Sequence, residues 1–197
     1  VSAVTDNPMV SAGTFATLPA GTFAGSLILS AATAAPGNLA STVGLTLMST
    51  PMAAGLISST LSAGSAVTTL GGVYAFAQPL WNAGSVAFGN IHVGDTRNLT
   101  VTNTLVAPVG YQDSLVVDGT GSSTLGVSNG TQIISAGSSG DIVFSASKSG
   151  VLAGSVGFSQ TSNANGVFGL SNLSLATQNI LVTGTAYTLA SGLVLAT

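Results

Sequence analysis

Charge is scarce in this sequence. Asp, Glu, Lys and Arg together make up 4% of its 197 residues, against roughly 25% in ordinary globular chains. Glutamate and cysteine are absent, and His92, Lys148 and Arg97 are the single representatives of their types. The acids are Asp6, Asp95, Asp113, Asp118 and Asp141. Two cations cannot form the basic stripe that neutralises phosphates, which excludes nucleic acid as a partner. One histidine and scattered aspartates cannot close a zinc site. A glycosidase needs two converging carboxylates, and only aspartates distant in sequence are on offer. A Ser–His–Asp triad would have to use His92, which lies beside Gly94 and Asp95 in a predicted turn. The composition therefore predicts no enzyme active site, no cofactor, no metal and no small-molecule substrate.

Long apolar runs are missing too. Residues 22–57 are the most apolar stretch, but Pro36, Pro51 and many Gly, Ser and Thr interrupt them. No clean run of about 18 apolar residues remains, so no membrane span is expected. Aromatic residues, at 6%, are too few for the girdles of a membrane β-barrel. Disorder is not expected either, because 46% of the residues are hydrophobic and the net charge is only −3. The polar surface has to come from Ser, Thr, Asn and Gly, a vocabulary of secreted or cell-surface β-proteins. The chain starts at Val1, which reads as a mature chain after removal of a signal peptide.

Strong helix formers such as Glu, Lys and Arg are nearly absent, and what is present alternates with period two. Val43, Leu45 and Leu47 alternate with Thr42, Gly44 and Thr46. Leu99 and Val101 oppose Asn98, Thr100 and Thr102. Ile180, Val182 and Ala186 oppose Leu181, Thr183, Thr185 and Tyr187. Residues 141–146 and 151–158 read as two further strands. Gly89-Asn90, Val93-Gly94-Asp95, Asp118-Gly119, Asn129-Gly130, Ser149-Gly150 and Asn165-Gly166 read as the turns between strands. The predicted class is all-β, built of sandwich units.

Two segment pairs suggest an internal duplication. Thr69–Ala77 matches Val182–Ala190, and Ala20–Ala31 matches Ala136–Ala146, at offsets of about 113–116. On this reading residues 1–80 form an incomplete immunoglobulin-like unit, 81–190 a complete sandwich, and 191–197 an apolar tail.

Val86-Ala87-Phe88-Gly89-Asn90-Ile91-His92-Val93-Gly94-Asp95-Thr96, followed by Leu99-Thr100-Val101-Thr102-Asn103-Thr104, resembles the immunoglobulin-like repeats of the Hydin and abnormal-spindle type. These also occur in bacterial choice-of-anchor D surface proteins. Tyr111–Leu115 and the stretch from Gly169 to Tyr187 are similar to the bacterial version. The resemblance covers about 84–190 well and 18–78 loosely. It implies immunoglobulin-like sandwiches used as spacers or assembly modules in long exported proteins.

The functional expectation follows from the tail. Residues 191–197 carry Leu193, Val194 and Leu195 and no charge. As a donor strand they would add to the incomplete first unit of the next copy. Such head-to-tail contact propagates into a filament, sheath or layer. Residues 7–94 contain no Asp, Glu, Lys or Arg, whereas edge strands are usually guarded by charges. The expected partner is therefore the chain itself. The competing reading is the stalk or spacer of a cell-surface adhesin. Three sequons begin at Asn98, Asn129 and Asn172. Asp113, Asp118 and Asp141 are the candidate calcium ligands, with turn capping as their ordinary role. Trp81 and Tyr74 are candidate carbohydrate platforms, or else packing aromatics.

Overall fold

The computed structural model describes residues 2–13, 28–61, 67–69, 71–119, 127–128, 131–167 and 169–190. All regular structure among them is β. The chain divides into two compact units, Val1–Tyr74 and Ala75–Thr197. Residues 75–80, expected in the first unit, thus belong to the second. The reason is local pairing: the Ala75 amide donates to the Tyr111 carbonyl, and Pro79–Trp81 pairs with Val101–Asn103.

Unit 1 contains β1 (Ser2–Thr5), β2 (Val10–Ala12), β3 (Leu29–Ala31), β4 (Gly37–Asn38), β5 (Ser41–Ser49), β6 (Ser59–Leu61), β7 (Val67–Thr69) and β8 (Gly72–Val73). Only β5 is long, and its alternation holds: Ser41 and Val43 are buried while Thr42 and Gly44 are exposed. It pairs antiparallel with β1, β6 and β7; β2 pairs with β3, and β4 with β8. The turn after β1 is tied to the start of β5. One oxygen of Asp6 accepts from the Ser41 hydroxyl and the Thr42 amide. The Asn7 carboxamide donates to the carbonyls of Asn38 and Ala40.

Unit 2 contains β9 (Pro79–Trp81), β10 (Ser85–His92), β11 (Thr96–Asn103), β12 (Ser114–Gly119), β13 (Val127–Ser128), β14 (Gln132–Ile134), β15 (Ser139–Ala146), β16 (Gly150–Asn163) and β17 (Leu173–Tyr187). One sheet has the order β10-β17-β16-β12-β14, the other β13-β15-β11-β9. Neighbours run antiparallel except β10, which is parallel to β17. The inward rows of both sheets, including Phe88, Leu99, Leu115, Phe144, Phe158 and Ile180, form one core. Two sheets sharing one core is an arrangement compatible with a β-sandwich.

Gly89-Asn90 differs from its expectation. It is a bulge inside β10, not a turn between strands: the register against β17 shifts between Ala87 and Gly89, and Gly89 has φ 68°. The extra residue changes which side chains face the core. Val86 and Phe88 point inward before it and Ile91 after it, so Asn90 stays exposed. Gly184 sits opposite the bulge; a Cβ there would lie 2.7 Å from Phe88 Cβ and 2.9 Å from the Gly89 carbonyl. The guanidinium of Arg97 donates to the carbonyls of Phe88 and Thr96. The turns at Gly94, Ser149-Gly150 and Asn165-Gly166 form as expected, with Asn165 in the left-handed region at φ 54°.

The segments compared as a duplication occupy unlike places. Gly72–Val73 is a two-residue strand, whereas Gly184–Tyr187 closes the fifteen-residue β17. Leu29–Ala31 pairs with β2, whereas Ile142–Ala146 runs in β15 between β11 and β13. Most of Ala20–Ala31 lies outside the described residues.

Candidate functional site

The residues able to carry chemistry are spread over unit 2. His92 ends β10 opposite Tyr187. Its backbone amide donates to the Asp95 carboxylate, and the Asp95 amide donates back to the His92 carbonyl, so Asp95 caps the turn. Asp141 accepts from the Thr100 hydroxyl at 2.7 Å on the exposed face of β15. Asp118 accepts from the Thr131 hydroxyl on β12. Asp113 precedes β12 and is buried. The three aspartates thus serve three separate hydrogen-bonding sites, and among the described residues no three His, Cys, Asp or Glu come together as a metal group. No helix among the described residues is long and apolar enough to cross a membrane.

The densest polar arrangement is one that sequence reasoning missed. Asn103, Gln112, Asp113 and Ser162 are all buried at one end of unit 2. The Asn103 carboxamide oxygen accepts from the Gln78 amide (2.9 Å) and from Gln112 Nε2 (3.2 Å). Its nitrogen donates to the carbonyls of Asp113 (2.9 Å) and Ile134 (3.3 Å). Every hydrogen-bonding position of this side chain is therefore used. Gln112 also accepts from the Val106 amide and donates to the Thr104 carbonyl, which shapes the loop 104–111. Ser162 donates to Asp113 Oδ2 at 2.7 Å and accepts from the Ala77 amide at 2.8 Å. These bonds fasten the entering segment Ala75–Gln78 to β11, β12 and β16. The one available signal was parity: Asn103 continues the inward series Leu99, Val101 and so had to be buried.

An acid beside a hydroxyl invites a catalytic reading, but the histidine is at the other end. Ser114 pairs with Asn163 at one end of β16, while Gly150 at the other end pairs with Ala186, next to the Tyr187 that faces His92. Fourteen residues of strand at about 3.3 Å each separate the two ends by roughly 40 Å.

Trp81 packs into unit 2 rather than presenting a platform. Its ring centroid lies 5.2 Å from that of Phe158, and its indole N–H donates to Gln160 Oε1 at 3.2 Å. Gln160 Nε2 in turn donates to the Ala176 carbonyl at 2.6 Å. Tyr74 is the last residue of unit 1 and is half-buried. Asn98 and Asn172 are exposed, and Asn172 Oδ1 accepts from the Ala164 amide. Asn129 and the expected donor residues Leu193, Val194 and Leu195 lie outside the described residues.

Unit 1 buries few of its described apolar side chains. Among its described residues only Val10 and Val43 are buried hydrophobic side chains. Val4, Ile28, Met48, Met52, Leu56, Ile57 and Leu61 are exposed. Asp6 is the one formal charge in residues 1–94.

No family model matches the chain, and no curated protein matches it.

Proposed function

We propose that this chain is an extracellular structural protein. On this reading it is built of immunoglobulin-like β-sandwich units and self-assembles by β-strand addition between copies. The observation that carries the proposal is the surface of unit 1, where, among the described residues, seven large apolar side chains stand exposed and two aliphatic ones are buried. Soluble sheet proteins guard such surfaces and edges with charge, and residues 7–94 supply none. Covering seven such side chains yields about 10 kcal/mol gross. Association costs about 4–15 kcal/mol in lost freedom. Apolar burial therefore exceeds that cost at the lower end of its range and falls short at the upper end, where the main-chain hydrogen bonds of an added strand supply the remainder. The resemblance of Val86–Thr104 to exported immunoglobulin-like repeats agrees with this role. So does a polar surface made of Ser, Thr and Asn. The reading assigns the chain no catalysis, and the single histidine lies a β16 length away from the buried Asp113–Ser162 pair.

The test is a concentration series of the purified chain, followed by light scattering and negative-stain microscopy. Ordered filaments or sheets are the expected products. A monodisperse monomer that persists to high concentration would refute the assembly reading.

A further inference from the structure

The long outer strand of unit 2 is β10, and among the described residues it pairs only with β17. In a parallel ladder alternate residues bond the partner, and those between them face away. The Leu181 amide donates to the Gly84 carbonyl before the bulge, and the Val93 amide donates to the Tyr187 carbonyl after it. Ser85 and Ala87 therefore face away from β17 before the bulge, and Asn90 and His92 after it.

That free side is not bare. Arg97, the single arginine, and one of the five acids lie on it. Asp95 takes both backbone groups of His92: its carboxylate accepts from the His92 amide at 2.9 Å, and its own amide donates to the His92 carbonyl at 3.1 Å. Arg97 reaches across from β11, in the other sheet. Its guanidinium donates to the Thr96 carbonyl at 2.9 Å. It also donates at 3.3 Å to the carbonyl of Phe88, which the bulge leaves without a partner residue in β17. Asn82, just past the end of β9, closes β11 in the same manner. Its side-chain oxygen accepts from the Thr100 amide and its backbone amide donates to the Thr100 carbonyl, both at 3.1 Å.

The other described borders of unit 2 are short or broken. β9 and β14 have three residues each and β13 has two. β10 lies along β17 only from Leu181 onward, and in the step this leaves, the register of β17 against β16 breaks at Ala176–Thr177. The bulge divides β10 as well, but the half before it, Ser85-Val86-Ala87-Phe88, is regular and contains no charge and no proline. Such a stretch invites another strand unless something blocks it.

We propose that Arg97 and Asp95 are edge guards that keep the β10 edge of a second copy from pairing with that of the first. Arg97 covers the half before the bulge and Asp95 the half after it. The partner held off is the chain itself, because two such edges related by a two-fold axis pair antiparallel with each other. A strand laid on the guarded edge would have to pull the guanidinium off the Phe88 carbonyl and desolvate its charge. The inference rests on the self-assembly reading above and says which side of the molecule stays out of the contact. Copies that add through one surface form an ordered polymer only if their other sheet edges refuse strands.

The experiment uses the full chain and three variants: Arg97→Ala, Arg97→Ala/Asp95→Ala and Arg97→Lys, which keeps the charge. Both positions are exposed, and circular dichroism confirms that each variant folds. Amide exchange at Ser85, Ala87 and Asn90 is read residue by residue by NMR over a concentration series, with sedimentation velocity for size. In the parent these amides should exchange equally fast at every concentration. In Arg97→Ala, Ser85 and Ala87 should slow about tenfold or more as a dimer forms, while Asn90 stays fast. In the double variant all three should slow, and Arg97→Lys should behave like the parent. A merely structural role for Arg97 would speed exchange rather than slow it. No slowing in the double variant at any concentration overturns the proposal, as does slowing in the assembled parent. Arg97→Lys as open as Arg97→Ala overturns a guard made of charge. If the parent does not assemble, the self-assembly reading fails, and exchange in the variants still decides whether Arg97 and Asp95 close the edge.

Discussion

Ser162 donates a 2.7 Å hydrogen bond to the carboxylate of Asp113, and both side chains are buried. The same hydroxyl accepts from the Ala77 amide. Ser162→Ala removes a donor from a buried carboxylate and an acceptor from a buried amide together. Unsatisfied buried groups cost about 1–3 kcal/mol each, more when charged. Unit 2 should lose about 3 kcal/mol in urea unfolding. Hydrogen exchange should show the Ala77 and Gln78 amides opening first, since they are the ends of the clamp. Unchanged protection at Ala77 would show that the clamp does not hold the entering segment.

Two glycines at the β10 bulge separate conformational from steric cost. Gly89 has φ 68° with nothing within 4 Å of an added Cβ. Gly89→Ala meets only the left-handed penalty, about 1–2 kcal/mol. Gly184 has φ 152°, and its Cβ would collide with Phe88 and the Gly89 backbone. Gly184→Ala should therefore cost clearly more, about 3 kcal/mol or above, because the bulge itself has to move. Equal losses from the two variants, read by chemical denaturation, would contradict this account.

What the sequence made legible was what alternation encodes. Val43, Leu99, Val101, Ile180 and Val182 are buried in the predicted phase, because period two follows directly from the pleat. The bulge was not legible, because Gly-Asn has the same chemistry in a hairpin turn as in a bulge. Only the partner strand distinguishes them, through the inward shift from Phe88 to Ile91. The polar clamp was hidden for a similar reason. Asn103, Gln112 and Ser162 are ordinary polar residues until three strand ends meet. The step along β17 depends on where β10 leaves the sheet, a long-range fact that no local pattern contains. The chemistry-poor composition, by contrast, was plain from the start.

Asp6 makes unit 1 sensitive to acid. Its carboxylate accepts from the Thr42 amide and the Ser41 hydroxyl, and these bonds lower its pKa from the ordinary 3.8. A carboxylate whose folded pKa is depressed contributes stability above its unfolded pKa. That contribution is lost as pH falls through the folded value. The Asp6 contribution to unit 1 should thus be present at neutral pH and fade below about pH 4. Hydrogen exchange at β1 and at the start of β5 reads this directly. Asp6→Asn should flatten the pH dependence of those amides and leave unit 2 unchanged. A variant with the parent's acid profile would assign the transition to another group.

Met52 and Ile57 separate folding from assembly. Both are almost fully exposed, in the stretch between β5 and β6. Neither contributes to a core, so Met52→Lys/Ile57→Lys should change folding stability by no more than about 0.5 kcal/mol per site. In an assembled state that covers unit 1, each lysine would bring an unpaired charge into an apolar contact, which costs several kcal/mol unless the charge escapes to water. The double variant should keep its circular dichroism and urea midpoint. Its critical concentration should rise about a hundredfold, equivalent to about 2.7 kcal/mol. The effect should weaken little with added salt, because the cost is desolvation and not repulsion across water. If the double variant assembles like the parent, the exposed face of unit 1 is not covered in the assembly. The contact would then rest on strand addition alone.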